Sequence, residues 1–345
     1  MSRKNLLRFT PLLPFIGFAL TGCSTYSQPR DLLGAAKVSG RAMGGQQPVS
    51  GATVQLYAAG TGGDGSAAAP LLSHLATTSD GSGDSKNANA NAGNKFNSLP
   101  LGQFTIADDY LCPSLLTEVY LVATGGNPGL SPGSSNPNLS LMAALGTCGS
   151  LSDSNFVNVN ELTTVGSIAA LAKFATSYAE IASDGSDLPA LQAAFADVDK
   201  FVNVSSGAVP GPALPPGYEA SSSAVQTLGD ILAECVNSAG GSAGDGSACG
   251  RLFQLTTPLG GRAPTDTIGA ALNLIHYPTQ NVAQIFDLLG PLAPFQPELA
   301  SPPGELGAAD RTYRKPGTRF DQRMARHVRS RLLASVHRWC GIDCE

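Results

Sequence analysis

The chain has 345 residues, 42% of them hydrophobic, 14% charged and 6% aromatic, with a formal net charge of −5. That hydrophobic share supplies a core and excludes wholesale disorder, and the length suggests two domains rather than one. Basic side chains are few and crowd at the C-terminal end, so nucleic acid is not an expected partner.

Residues 1–22 read as a secretory leader. Arg3, Lys4 and Arg8 precede an uncharged run over 9–22 that holds Leu12, Leu13, Phe15, Ile16, Phe18 and Leu20. The run is interrupted by Pro11 and Pro14 and falls below the ~20 residues of a membrane-spanning helix, so it fits a cleaved signal peptide. Its end, Leu20-Thr21-Gly22-Cys23, resembles the lipobox of bacterial lipoproteins. The resemblance implies lipidation of Cys23, whose thiol is the nucleophile that takes the lipid. It also implies a tether over 23–36 and a membrane as partner through the anchor. Ser24, rather than an aspartate, after the cysteine implies a place in the outer membrane of the cell envelope.

Over residues 37–124 short alternating segments are punctuated by turn residues. Strands are predicted at 38–43, 52–59, 72–78, 103–106 and 119–124; in the second, Val54, Leu56 and Ala58 share one face, with Thr53, Gln55 and Tyr57 on the other. Evenly spaced short strands argue for a β-sandwich. Residues 79–100, dense in Gly, Ser, Asn and Asp, read as a flexible insertion. Their acidic spacing departs from the order that wraps calcium, so no metal is assigned there.

Three phrases carry a resemblance. Val38-Ser39-Gly40-Arg41, then Pro48-Val49-Ser50-Gly51-Ala52-Thr53-Val54, and later Gly102-Gln103-Phe104-Thr105-Ile106 are together similar to the carboxypeptidase regulatory-like domain. The resemblance implies a transthyretin-like sandwich with a structural or carbohydrate-adjacent role and no peptidase activity.

Residues 125–137, rich in Gly, Pro, Asn and Ser, read as a linker, and 138–300 as a mostly helical domain. Segments 138–145 and 156–159 lead into a helix capped by Asn158 or Asn160, with Leu162, Val165, Ile168, Ala172 and Ala175 in a stripe. A second helix starts near Asp187 with Pro189 in its first turn and aligns Leu191, Phe195, Val198 and Val202. A third follows the serines at 221–223 and aligns Val225, Leu228, Leu232 and Cys235. Two shorter helices are predicted over 266–277 and 280–289.

Of seven cysteines, Cys23 belongs to the lipobox and Cys340 and Cys344 to the C-terminal tail. Cys112, Cys148, Cys235 and Cys249 remain, an even set that reads as disulfides in an exported chain. Pairing Cys112 with Cys148 and Cys235 with Cys249 is favoured because each pair then lies within one predicted unit. The alternative, a zinc site, lacks a C-x-x-C pair and a neighbouring histidine.

Val119-Tyr120-Leu121-Val122-Ala123-Thr124-Gly125-Gly126, Asn160-Glu161-Leu162-Thr163-Thr164-Val165 and the segment from Cys235 to Cys249 resemble bacterial surface proteins in which a sandwich and a helical segment precede an NHL-repeat propeller. Here the propeller is missing. Residues 301–345 form a basic tail holding nine of the twenty-one Lys and Arg, against a body of net charge −9. The tail reads either as a basic amphipathic helix over 321–338 that touches membrane or nucleic acid, or as disordered or out-of-frame sequence; the second reading is favoured because the break falls where the next domain would begin.

No catalytic constellation stands out. Outside the tail only His74 and His276 offer a general base, and G-x-S-x-G, H-E-x-x-H and phosphate-loop patterns are missing. Glu161 and Glu180 flank the first helix too far apart to be a carboxylate pair. The expectation is an α+β chain: an N-terminal sandwich, then a helical disulfide-containing domain, with no catalytic, cofactor or metal residues. It is expected to act as an anchored structural or binding module for a protein or glycan ligand. The alternative is a truncated propeller protein whose missing domain carried ligand binding or enzymatic activity.

Overall fold

In a computed structural model of the chain, residues 36–82, 99–107, 109–214, 218–291, 293–307 and 312–314 are described. The leader, Cys23, most of the 79–100 insertion, Cys340 and Cys344 fall outside them. The fold mixes sheets and helices. Its strands are β1 (Val38–Gly44), β2 (Gln47–Pro48), β3 (Thr53–Ala58), β4 (Ala69–Pro70), β5 (Ala76–Thr77), β6 (Gln103–Ile106), β7 (Glu118–Thr124), β8 (Ser140–Thr147) and β9 (Phe156–Val159). One sheet pairs β1 with β2 and β6 antiparallel and with β9 parallel; the other runs β4-β3-β7-β8, with β5 also on β3. The helices are α1 (Glu161–Leu171), α2 (Leu188–Phe201), α3 (Ser222–Val236), α4 (Ala248–Thr256), α5 (Thr267–His276) and α6 (Val282–Phe286).

The second sheet is a middle layer. On β7, Val119, Leu121 and Ala123 face a core shared with Val38, Ala42, Phe104 and Val157 of the first sheet. The alternate residues Tyr120 and Val122, with Met142 and Ala144 of β8, face a second core built with Leu162, Val165, Ile168 and Leu228 of the helices. A strand covered on both faces has no polar side, which is why the sequence there runs unbroken through Val-Tyr-Leu-Val-Ala. In the outer sheet the pattern does alternate: Val38, Gly40 and Ala42 point inward while Ser39, Arg41 and Met43 stay half-exposed. Gly40 stands directly opposite Phe104, and a Cβ there would lie 2.5 Å from the ring, so only glycine lets that ring lie across the strand.

The sheets therefore do not close at residue 124, as the sequence suggested. β8 and β9 come from the stretch assigned to the helical half, and the described residues make one compact unit. The expected linker at 125–137 is the hairpin loop between β7 and β8. Asn136 within it is fully buried and donates through Nδ2 to the carbonyls of Cys235 (2.7 Å) and Val236 (3.1 Å), capping the end of α3. Its Gly, Pro and Asn serve turning and capping, not slack.

β8 is the edge of its sheet, and the helices occupy that edge. The outward N–H groups of Ser140, Met142 and Ala144 donate to Thr267 Oγ1 (2.9 Å), Thr164 Oγ1 (2.9 Å) and Ser167 Oγ (3.0 Å). Buried edge amides need such acceptors, and an edge so covered cannot pair with another chain. Thr164, Ser167 and Thr267 are accordingly fully buried.

Helix by helix, Asn160 is the cap of α1: its side chain accepts from Thr163 N (2.9 Å), and Thr163 returns a hydroxyl acceptor to Asn160 N (2.9 Å). The helix stops at Leu171, short of the expected stripe through Ala175. The chain there turns into a hairpin of β10 (Ala175–Ser177) and β11 (Glu180–Ile181), because the Phe174 carbonyl accepts from Gly65 N and Ala182 N. α4 was not anticipated. Its cap, Ser247, accepts from Gly250 N (2.9 Å), and Gly250, a poor helix former, is required where a Cβ would meet Asp245.

The bonds Cys112–Cys148 and Cys235–Cys249 are both present, with Cα separations of 5.8 and 4.3 Å. The first ties the loop before β7 to the end of β8, the second the end of α3 to the first turn of α4. The change in charge near residue 301 does not mark the edge of the fold. Leu306 is 3% exposed, packs with the helical core, and donates its N–H to the Pro278 carbonyl at 2.8 Å. Further on, β12 (Tyr218–Ala220) pairs antiparallel with β13 (Thr312–Arg314).

Candidate functional site

A cleft of about 380 Å³ opens between the β8–β9 connection and α2 with the loop that follows it. Its size lies in the ~300–1,000 Å³ range of ligand clefts. Phe195 on α2 forms part of the lining, 4% exposed and tilted against Tyr120 at 6.5 Å between ring centroids. Phe156, half-buried at the start of β9, supplies a second ring, and Ser150, Asn155, Asp199, Asn203 and Ser205 supply the polar groups.

The walls are fixed from below. Asn158, the rejected cap of α1, donates through Nδ2 to the Ser205 carbonyl, and Asn160 to the Gly207 carbonyl at 2.8 Å. Gly207 takes φ +69°, and a Cβ there would lie 2.8 Å from both asparagines. Asn203 Oδ1 accepts from Ser205 N (3.0 Å) and Ser206 N (3.2 Å), and Asn155 Oδ1 accepts from Ser152 N (3.0 Å). Asn155 and Asn203 thus carry amide groups, and Asp199 a carboxyl group, into the lining of the cleft. Protein crowding pushes the Asp199 carboxyl above its ordinary pKa even though the residue is largely open to solvent. Such a wall of amide groups, one carboxylate and two rings can hold a neutral polyhydroxylated ligand.

The two described histidines, His74 and His276, do not set up a nucleophile with a base. His74 Nδ1 lies 3.1 Å from Ser73 Oγ and 3.6 Å from Asp109 Oδ1, but Ser73 donates its own proton to Asp109 at 2.8 Å. The imidazole does not stand between hydroxyl and carboxylate, so the order needed to activate a serine is broken. Burial would raise the Asp109 pKa, but hydrogen bonds from Ser73 and His74 outweigh it and hold it low. His276 Nε2 meets the Ala172 carbonyl at 2.9 Å, a structural contact at the end of α5.

Sequence reasoning missed a set of buried carboxylates. Glu161 opens α1, is fully buried, and accepts from Gly45 N at 2.8 Å, while Oε2 has no partner; burial, with Asp230 adding, pushes its pKa up to about 8. Asp230 of α3 accepts from Phe295 N at 2.9 Å and is pushed up to about 7 by burial. Helix-dipole stabilisation at an N-terminus is worth ~0.3–1 kcal/mol and does not offset this desolvation. Glu180, the partner considered from sequence, instead accepts from Thr176 and Ser177. Glu118 is likewise buried and pushed up to about 7 by desolvation. Among the described residues no three His, Cys, Asp or Glu side chains gather to hold a metal ion, and no helix is long and apolar enough to cross a membrane.

No family model, no curated protein and no solved structure matches this chain.

Proposed function

We propose that the chain is an extracytoplasmic lipoprotein, fixed to the outer membrane through Cys23, whose regulatory-like sandwich and packed helices form a binding module without intrinsic catalysis. The observation that carries the reading is the pair of disulfides in the compact unit, which suit an oxidising compartment and stand behind a lipobox-like leader. The cleft is its ligand site, and its amide groups, carboxylate and aromatic rings suit a neutral glycan.

Two measurements test this reading. Metabolic palmitate labelling should mark the wild-type chain and be lost in Cys23→Ala, which accumulates as an unprocessed precursor; label persisting in the variant overturns the anchor. Calorimetric titration with a panel of neutral oligosaccharides should find a ligand whose affinity drops roughly 2- to 12-fold in Phe156→Ala, the loss of one ring contact of ~0.5–1.5 kcal/mol. Binding that is indifferent to Phe156, Asn155 and Asn203 together would remove the cleft from the function.

A further inference from the structure

Residues 110–117 read Tyr-Leu-Cys-Pro-Ser-Leu-Leu-Thr and carry no charge. Within them Leu111 is 61% exposed, Leu115 49% and Leu116 68%. The loop is not slack. Cys112 is bonded to Cys148, the Leu115 carbonyl accepts from Gly149 N at 2.9 Å, and Ser114 and Thr117 join their hydroxyls at 3.0 Å. Gly149 has no side chain where Leu115 crosses it, and a Cβ there would sit 2.9 Å from the Leu115 carbonyl oxygen. Three leucines are thus held outward by a stapled frame, whereas scattered single apolar side chains such as Leu188 and Leu259 are ordinary on any surface.

We infer that this loop seats in the surface of the bilayer that holds the lipid of Cys23, as a second, apolar membrane contact. The inference rests on the lipoprotein reading above and goes beyond it. What identifies the occupant is where the chain departs toward Cys23. Ala36 is the first described residue, and its carbonyl accepts the hydroxyl of Tyr110 at 2.8 Å, Tyr110 itself being 4% exposed. The leucine loop therefore begins at the root of the tether. From Cys23 to Ala36 a fully extended chain reaches no more than about 47 Å, at ~3.3–3.6 Å per residue.

A leash that short keeps the loop at high effective concentration next to the bilayer, so even a weak apolar contact is populated. Leucine side chains bury at the boundary between headgroups and acyl chains, where binding grows with the apolar area buried. Lys37, exposed beside Ala36, places one cation at the same margin, suited to lipid phosphate, while its backbone N–H is held by Asp153 at 2.7 Å. A second protein copy is the poorer occupant: three leucines of one loop expose far less than the ~800 Å² that each partner buries in a standard interface.

The test uses the full lipidated chain reconstituted in phosphatidylethanolamine–phosphatidylglycerol vesicles with brominated acyl chains. The single native indole is removed by Trp339→Phe, and Leu116→Trp or, as control, Leu259→Trp supplies the reporter. Flotation first shows whether the chain is anchored. With Leu116→Trp the emission should shift to the blue and be quenched by the brominated chains, and Leu111→Ser with Leu115→Ser should abolish both effects; Leu259→Trp should show neither. A chain that floats with unquenched Leu116→Trp emission overturns the docking and leaves the anchor standing, as does a blue shift that follows protein density without quenching, which would mean a second copy covers the loop. Equal quenching of both reporters also overturns it. A chain that fails to float overturns the anchor and the docking with it.

Discussion

Replacing Thr164 by valine keeps the size of the side chain and removes one hydroxyl from the join between α1 and β8. That hydroxyl accepts from Met142 N at 2.9 Å and donates to the Asn160 carbonyl at 2.7 Å. The Asn160 carbonyl keeps the Thr164 N–H at 2.9 Å, so the loss falls on Met142, a fully buried residue whose amide has no route to water. An orphaned buried donor costs ~1–3 kcal/mol. For a folded unit of this size ~2–4 °C of melting temperature goes with each kcal/mol, so Thr164→Val should melt ~2–12 °C below wild type. Ser167→Ala orphans the Ala144 amide in the same way. Far-UV circular dichroism gives the midpoint, and hydrogen exchange at Met142 locates the damage to the β8 edge; exposed Ser206→Ala should stay within ~0.5 kcal/mol. If Thr164→Val with Ser167→Ala together also stays within ~0.5 kcal/mol, the edge amides are satisfied in some other way, and α1 docks on the sheet through its apolar contacts alone.

Glu161→Gln should flatten the stability–pH profile. The folded state holds the Glu161 proton up to about 8 against an ordinary 4.5, so its contribution is most favourable below 4.5 and declines as pH rises toward 8, by up to ~1.4 kcal/mol per pH unit; urea midpoints at pH 5 and pH 8 that keep the wild-type difference in the variant would contradict this. Leu306→Ala should cost ~2–4 kcal/mol, as for other buried leucines, and truncation after Ser301 at least as much; an unchanged denaturation midpoint would return these residues to an unpacked tail. Non-reducing peptide mapping should find Cys112 with Cys148 and Cys235 with Cys249, and removing the second bond, which spans 14 residues, should cost ~3 kcal/mol in the chain-entropy model; crossed pairs or free thiols would contradict the described frame.

The helices at Asp187 and Ser221 were legible, and the cap of α1 was narrowed to Asn158 or Asn160, because caps and apolar stripes are local signals, read within a few residues. The cleft was not legible, because its groups come from residues 144–157 and 195–212 and meet only when α2 lies against the end of β8. Glu161 was weighed only against Glu180; nothing in its neighbours announces that Gly45, far earlier in the chain, will close over it.

By itself the sequence determined β1, β3, β6 and β7, the helices α1, α2, α3, α5 and α6, and a workable pairing of four cysteines. Each rests on spacing along the chain. Only the tertiary structure decided that the stretch from 138 to 159 belongs to the sheets and that one sheet is sandwiched between another sheet and the helices. It alone showed that Thr164, Ser167 and Thr267 are buried acceptors rather than a solvated face. The reason is that a hydroxyl is polar wherever it stands in the sequence. Whether it meets water or the unpaired edge of a strand depends on a partner that the local pattern does not contain.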